Sequence, residues 1–219
     1  MPLSLWILLT VATLVSALWL YAQRDVLGMR PWAAIPLAAA HTMIGVLSVQ
    51  IFAVMETLDS SNIGNMSLFG GVFFMPLVYW LGAKLFKRKK ALVFDNFTIC
   101  MVFTVMCARI NCIISGCCFG KTIPGLDNFR WPTRELEVAF YAVLLIVLVR
   151  KVLSKKTHGE IYPLYMISYG AFRFVIEFFR FSEHSAGIFH IAHLWAVITL
   201  GLGLSIYSEM QSRKKKVRR

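Results

Sequence analysis

The chain has 219 residues, is 58% hydrophobic and 16% charged, and carries a formal net charge of +12. Its mean hydropathy is +0.67, whereas soluble domains run near 45–50% apolar and about 25% charged, so too few polar residues are present to cover a water-soluble core. Disorder is excluded as well, because seventeen Phe and six Trp reverse its low-hydrophobicity signature. What remains is an all-α, polytopic membrane protein.

A helix needs about 20 apolar residues to cross a hydrocarbon core of about 30 Å. Seven segments meet or approach that length: Leu3–Tyr21, Trp32–Met55, Leu68–Phe86, Ala91–Ile114, Leu136–Val149, Ile161–Arg180 and Ile188–Tyr207. The first has no basic residue ahead of it and is followed by Gln23, Arg24 and Asp25 rather than a small-residue cleavage site, so it reads as a retained helix and not a signal peptide. Residues 1–212 are expected to form one seven-helix bundle and residues 213–219 a basic tail.

Basic residues sort by connector. Arg24 and Arg30 follow the first segment, Lys84, Lys87, Arg88, Lys89 and Lys90 the third, and Arg150, Lys151, Lys155 and Lys156 the fifth, with six more in the tail. The positive-inside rule puts all four regions in the cytoplasm, hence the amino terminus outside and the carboxyl terminus inside. The basicity is thus a topology signal. No interleaved aromatics or recognition motif points to nucleic acid, while the tail is suited to anionic lipid.

Six cations are left over: Arg109, Lys121, Arg130, Arg134, Arg173 and Arg180. All map to the outer half. At about 1.5 Å per residue, Arg109 lies about 27 Å into its helix and Arg173 about 18 Å into its own. Charges at such depth face a bundle interior or a watery cavity and find a partner, or else snorkel to the head groups. In Tyr169-Gly170-Ala171-Phe172-Arg173-Phe174-Val175-Ile176-Glu177-Phe178-Phe179-Arg180 the charges fall at i, i+4 and i+7, on one helical face. In that spacing Glu177 can hold both guanidinium groups. Fixed arginines bind phosphate bidentately, which suits a phospholipid head group or a phosphate leaving group; the competing reading is an interhelical salt bridge that only fastens the bundle.

The fourth segment ends in Arg109-Ile110-Asn111-Cys112-Ile113-Ile114-Ser115-Gly116-Cys117-Cys118-Phe119-Gly120-Lys121. Donors accumulate there as two glycines break the helix, the pattern of irregular backbone lining a cavity. All five cysteines sit within this helix and turn, without a CxxC pair or a histidine set, so no metal is expected and a thiol role or a disulfide at Cys117 and Cys118 stays open. His41 reads as a packing residue, and His184, His190 and His193 as candidate bases near the outer surface.

These motifs, with Ser67-Leu68-Phe69-Gly70-Gly71 and Arg130-Trp131-Pro132-Thr133, resemble the prolipoprotein diacylglyceryl transferase family over roughly Ser67 to Arg180. The resemblance implies a seven-helix enzyme of the bacterial cytoplasmic membrane. Its members move the diacylglyceryl group of phosphatidylglycerol to the lipobox cysteine of a prolipoprotein and release glycerol phosphate. Arg109 matches the arginine opening the family signature and Arg173 the essential arginine of the late helix. Arg109, Arg173 and Glu177 are the expected catalytic set, and Asn111, Ser115, Gly116, Gly120, Arg130, Arg180, Gly70 and Gly71 the expected substrate-binding set, with no cofactor.

Several positions depart from the family pattern. Cys112 stands for an asparagine, Cys117 for an acidic residue and Phe69 for the histidine before the paired glycines, while Arg134-Glu135-Leu136-Glu137 keeps only its final glutamate. The missing histidine and acid are natural proton carriers, which leaves Glu177, Glu137, His184 or water for the thiol proton. The departures also motivate two other readings: a related head-group or acyl transferase with another acceptor, and a non-enzymatic lipid-binding membrane protein.

Overall fold

The computed structural model describes residues 3–57, 66–123, 125–154, 159–181 and 190–217. Helix α1 (Leu3–Ala22) runs into a single turn, α2 (Arg24–Leu27), which Gly28 closes at φ 61°. A 3-10 turn over Pro31–Ala33 opens α3 (Ala34–Thr57), and α4 (Phe69–Leu85) and α5 (Lys90–Ile114) follow. Then come an antiparallel hairpin, β1 (Thr122–Ile123) with β2 (Leu126–Arg130), and α6 (Thr133–Leu153), α7 (Ile161–Glu177) and α8 (Ile191–Val217). The hairpin is an addition to the all-helical expectation. Helix α8 runs on through residues 213–217, so the described part of the basic segment is helical.

The long helices coincide with the apolar segments, but they differ in how they meet a membrane. Among the described residues four stretches, Leu3–Ala22, Pro31–Glu56, Lys90–Ile114 and Ile191–Lys216, are long and apolar enough to cross one. Helices α4 and α7 have 17 residues each, and α6 opens with Arg134, Glu135 and Glu137. The elements that fall short include both of those that carry the carboxylates of the site.

Helix α5 is central, packed against α1, α3, α4, α6 and α7, while α7 lies along α8. The core between them is aromatic: Phe52, Phe69, Tyr79, Tyr141, Tyr162, Tyr165 and Tyr169 are all buried. Large apolar side chains such as Trp6, Leu14 and Leu18 of α1 point outward, the arrangement a hydrocarbon solvent favours. Several polar groups inside are paired. His41 Nε2 and the Tyr79 hydroxyl share a hydrogen bond of 2.9 Å, in keeping with a packing role for His41, and the Tyr162 hydroxyl donates to the Val72 carbonyl.

The basic connectors gather at one end. Glu160 there faces Lys151 and Lys214, and Arg88 approaches Gly28. At this end the buried Asp95 carboxylate accepts from the backbone N–H of Gly159 (2.9 Å) and Ile161 (3.0 Å), capping the start of α7. The leftover arginines lie at the other end.

Candidate active site

Helices α5, α6 and α7 bring their charges together where α5 and α7 end and α6 begins. Glu137, in the second turn of α6, is the hub. Its Oε2 lies 2.9 Å from Arg109 Nε, its Oε1 accepts from Arg173 Nη1 at 3.0 Å, and Arg180 Nη1 stands 3.8 Å from the same Oε1. Glu177 pairs with Arg173 Nη2 at 2.8 Å. The expectation that Glu177 bridges Arg173 and Arg180 is therefore corrected. The reason is local: α7 stops at Glu177, and the turn through Phe178 and Phe179 carries Arg180 off the helical face toward Gly120, with which it forms an isolated antiparallel bridge.

Arg109, Glu137, Arg173 and Glu177 are all buried. Three guanidinium groups thus cluster around two carboxylates, and the pairing is incomplete. Arg173 Nε and the Tyr169 hydroxyl are buried without a hydrogen-bond partner, and Arg109 Nε meets Glu137 as an ion pair without a directed hydrogen bond. Buried donors of this kind are costly unless something accepts from them. An anion with several oxygens, such as a phosphodiester, satisfies them.

The aromatic wall of the site is Phe69, which stands edge-on to Tyr169 at 5.6 Å with the Arg173 guanidinium 6.0 Å from its ring centre. The position matching the family histidine thus does face the late-helix arginine.

Other expected residues are placed around this centre. Asn111 is buried and accepts from Ser4 Oγ at 2.8 Å, which ties it to α1. Ser115 and Gly116 are exposed at the end of α5, Gly116 with φ 65°. Gly120 sits where a Cβ would come within 2.3 Å of the Trp131 carbonyl, and Gly70 where one would come within 2.1 Å of the Ser48 carbonyl, so both are points of close backbone approach. Gly71 has room. Arg130 is exposed and lies over the Phe119 ring at 4.1 Å. His184 lies outside the described residues.

Three further contributors escaped the sequence reading. Tyr169 was quoted only as part of a motif, and its free hydroxyl is visible only in three dimensions. Glu56, half-buried at the end of α3, feels the charges of Arg173 and Glu177, and nothing in its sequence neighbourhood marks it. The third is the convergence of Cys112 with Cys117 and Cys118, for which a thiol role had stayed open. Although the cysteine spacing suggested no metal ligands, the sulfurs of Cys112, Cys117 and Cys118 lie within 4.8 Å of one another. A hydrogen bond from the Cys112 thiol, with the Arg180 and Arg109 charges beside it, holds the Cys118 thiol below the ordinary thiol range.

With this geometry in place, comparison with known proteins is decisive. The family model for prolipoprotein diacylglyceryl transferase matches residues 6–208. The chain belongs to that family. Among curated relatives, the phosphatidylglycerol–prolipoprotein diacylglyceryl transferase of Chlorobaculum tepidum is 24% identical over 174 residues, covering 72% of this chain and 60% of the relative. The protein of the same name from Hydrogenovibrio crunogenus is 27% identical over 168 residues, covering 70% and 62%. That of Campylobacter curvus reaches 32% over 148 residues, covering 64% and 53%. The matched part of this diacylglyceryl transferase family member thus spans about three fifths of the length of such relatives.

Proposed function

We propose that this chain transfers the diacylglyceryl group of phosphatidylglycerol to the cysteine thiol of a lipobox-bearing prolipoprotein, releasing glycerol phosphate. The reading places it in a bacterial cytoplasmic membrane as a seven-span bundle, amino terminus outside, with the basic end in the cytoplasm and the arginine site at the outer face. Family membership and the names of the relatives support it. The observation that carries it is the arginine cluster around Glu137, with buried donors still to be satisfied at Arg173 Nε and Tyr169.

In this mechanism the phosphodiester enters among Arg109, Arg173 and Arg180. Glu137 and Glu177 hold the guanidinium planes, so the forks meet the phosphate without reorganisation. The acceptor thiolate attacks the glyceryl carbon that carries the phosphate oxygen. A C–S bond forms, the C–O bond breaks, and the electron pair leaves with the phosphate, where the arginines stabilise the growing charge. Both Glu137 oxygens and Glu177 Oε2 are engaged by guanidinium groups, which disfavours these oxygens as acceptors of the thiol proton.

The test is to incubate the purified protein with phosphatidylglycerol vesicles and a lipobox peptide and to weigh the peptide. A diacylglyceryl mass gain that vanishes in Arg173→Ala supports the proposal. Lipid consumed without a labelled peptide supports another acceptor, and binding without consumption supports a lipid-binding protein; either result overturns it.

A further inference from the structure

Alkylation of a thiol is slow until the thiol is ionised, and the carboxylates of the arginine hub are already engaged. Next to that hub stand three sulfurs that the phosphate half of the reaction does not use. Helix α5 ends at Ile114, Gly116 turns the chain at φ 65°, and the Cys117 N–H donates back to the Cys112 carbonyl at 3.2 Å. Cys118 then adopts φ 57°, a left-handed conformation that is uncommon for a residue with a side chain. These two turns fold the adjacent cysteines back over the helix end, so that all three sulfurs lie within 4.8 Å of one another.

The turn is held from both sides. Thr133 Oγ1 donates to the Cys118 carbonyl at 3.3 Å, the Phe181 N–H to the Phe119 carbonyl at 3.2 Å, and the Lys121 N–H to the Phe179 carbonyl at 2.8 Å. Zinc–thiolate bonds of about 2.3 Å set their sulfurs about 3.8–4.0 Å apart in trigonal or tetrahedral geometry. The three thiols are therefore within small side-chain adjustments of a ligand set. Soft thiolate donors select d10 cations, and the C-terminal end of α5 adds a dipole that favours positive charge. Arg109 and Arg180 lie within electrostatic reach of Cys118 and offset the negative charge of a trithiolate complex. Cys112 and Cys118 are half-buried and Cys117 is exposed, which leaves one side open.

We propose that Cys112, Cys117 and Cys118 bind a thiophilic d10 dication, zinc in the first place, and that its open fourth position takes the thiol of the acceptor peptide. This inference rests on the transferase reading for the identity of the acceptor. The acceptor S–H bond breaks as the zinc–sulfur bond forms, and the proton leaves to water. A metal-bound thiolate is deprotonated at neutral pH, so coordination does the work of the base. The bound sulfur then attacks the glyceryl carbon, the phosphate departs onto the arginines, and the thioether leaves the metal. Zinc serves as template and Lewis acid without changing oxidation state.

The test is spectroscopic and independent of turnover. The full chain, reduced and in detergent, is titrated with cobalt(II) as a reporter for zinc, and then with a lipobox peptide or its Cys→Ser counterpart. About one cobalt per chain with thiolate charge-transfer and tetrahedral d–d bands, displaced by zinc, is expected. The bands should shift on adding the cysteine peptide and not the serine peptide, and affinity should fall at least about tenfold in Cys112→Ser and Cys118→Ser. Absence of bands with three titratable thiols overturns the proposal, as does a mass two daltons low from a disulfide among them, or a spectrum indifferent to the cysteine peptide. Diacylglyceryl transfer undiminished by chelator overturns it while leaving the transferase reading intact. A peptide-sensitive cobalt site in a protein that never transfers lipid sinks the transferase reading and leaves the site.

Discussion

The Glu137 carboxylate holds the Arg109 guanidinium at 2.9 Å and the Arg173 guanidinium at 3.0 Å, one through each oxygen, so a single acidic side chain of α6 locks α5 to α7. Removing one partner from a buried ionic network costs about 3–5 kcal/mol, because the remaining charges lose their compensation. Glu137→Gln should therefore lower the thermal stability of the detergent-solubilised protein by about that amount as well as abolish transfer. Unchanged unfolding in a thermal-shift assay would show that the hub carries no structural weight.

Arg173 tests the phosphate half of the reaction separately. Its guanidinium spans Glu137 and Glu177 with two different nitrogens, and a lysine ammonium cannot reproduce that fork. Arg173→Lys is expected to reduce turnover about 10²–10³-fold while the protein stays folded, since a cation still faces each carboxylate. Full activity in a peptide mass-gain assay would remove Arg173 from the chemistry.

The paired glycines separate packing from substrate contact. A Cβ at Gly70 would come within 2.1 Å of the Ser48 carbonyl, whereas one at Gly71 meets nothing nearer than Val49 Cγ1 at 3.9 Å. Gly70→Ala should force α3 and α4 apart at a cost of about 1–3 kcal/mol, and Gly71→Ala should stay within about 0.5 kcal/mol of wild type. Melting curves of the two variants side by side decide the matter. Equal tolerance would refute the close α3–α4 crossing.

Asp95 offers a control far from the chemistry. Its carboxylate caps α7 through the N–H groups of Gly159 and Ile161 at the basic end. Asp95→Ala should lose about 1–2 kcal/mol of stability and keep the specific activity of whatever fraction remains folded, measured after normalising to folded protein by size exclusion.

Helix positions were legible because lipid solvent imposes long apolar runs: Ala91–Ile114 was expected and Lys90–Ile114 found, Leu3–Tyr21 expected and Leu3–Ala22 found. Arg109 and Arg173 were legible because a deep arginine has few explanations. The hub was harder. Periodicity within one helix can pair Glu177 with Arg173 but cannot reveal that Glu137, 36 residues upstream of Arg173, comes to lie between Arg173 and Arg109. The thiol cluster was hidden for another reason: ligand spacing rules assume ordinary backbone, and here two left-handed residues, Gly116 and Cys118, fold the chain back on itself. The β-hairpin was missed because strands this short carry no alternation to read.

The main-chain bridge between Gly120 and Arg180 makes the cysteine turn and the end of α7 a single mechanical part. A displacement of the turn would therefore be felt at Arg180, which stands 3.8 Å from Glu137. On the proposed reading, occupancy of the thiol turn and the position of Arg180 beside Glu137 are thus mechanically linked.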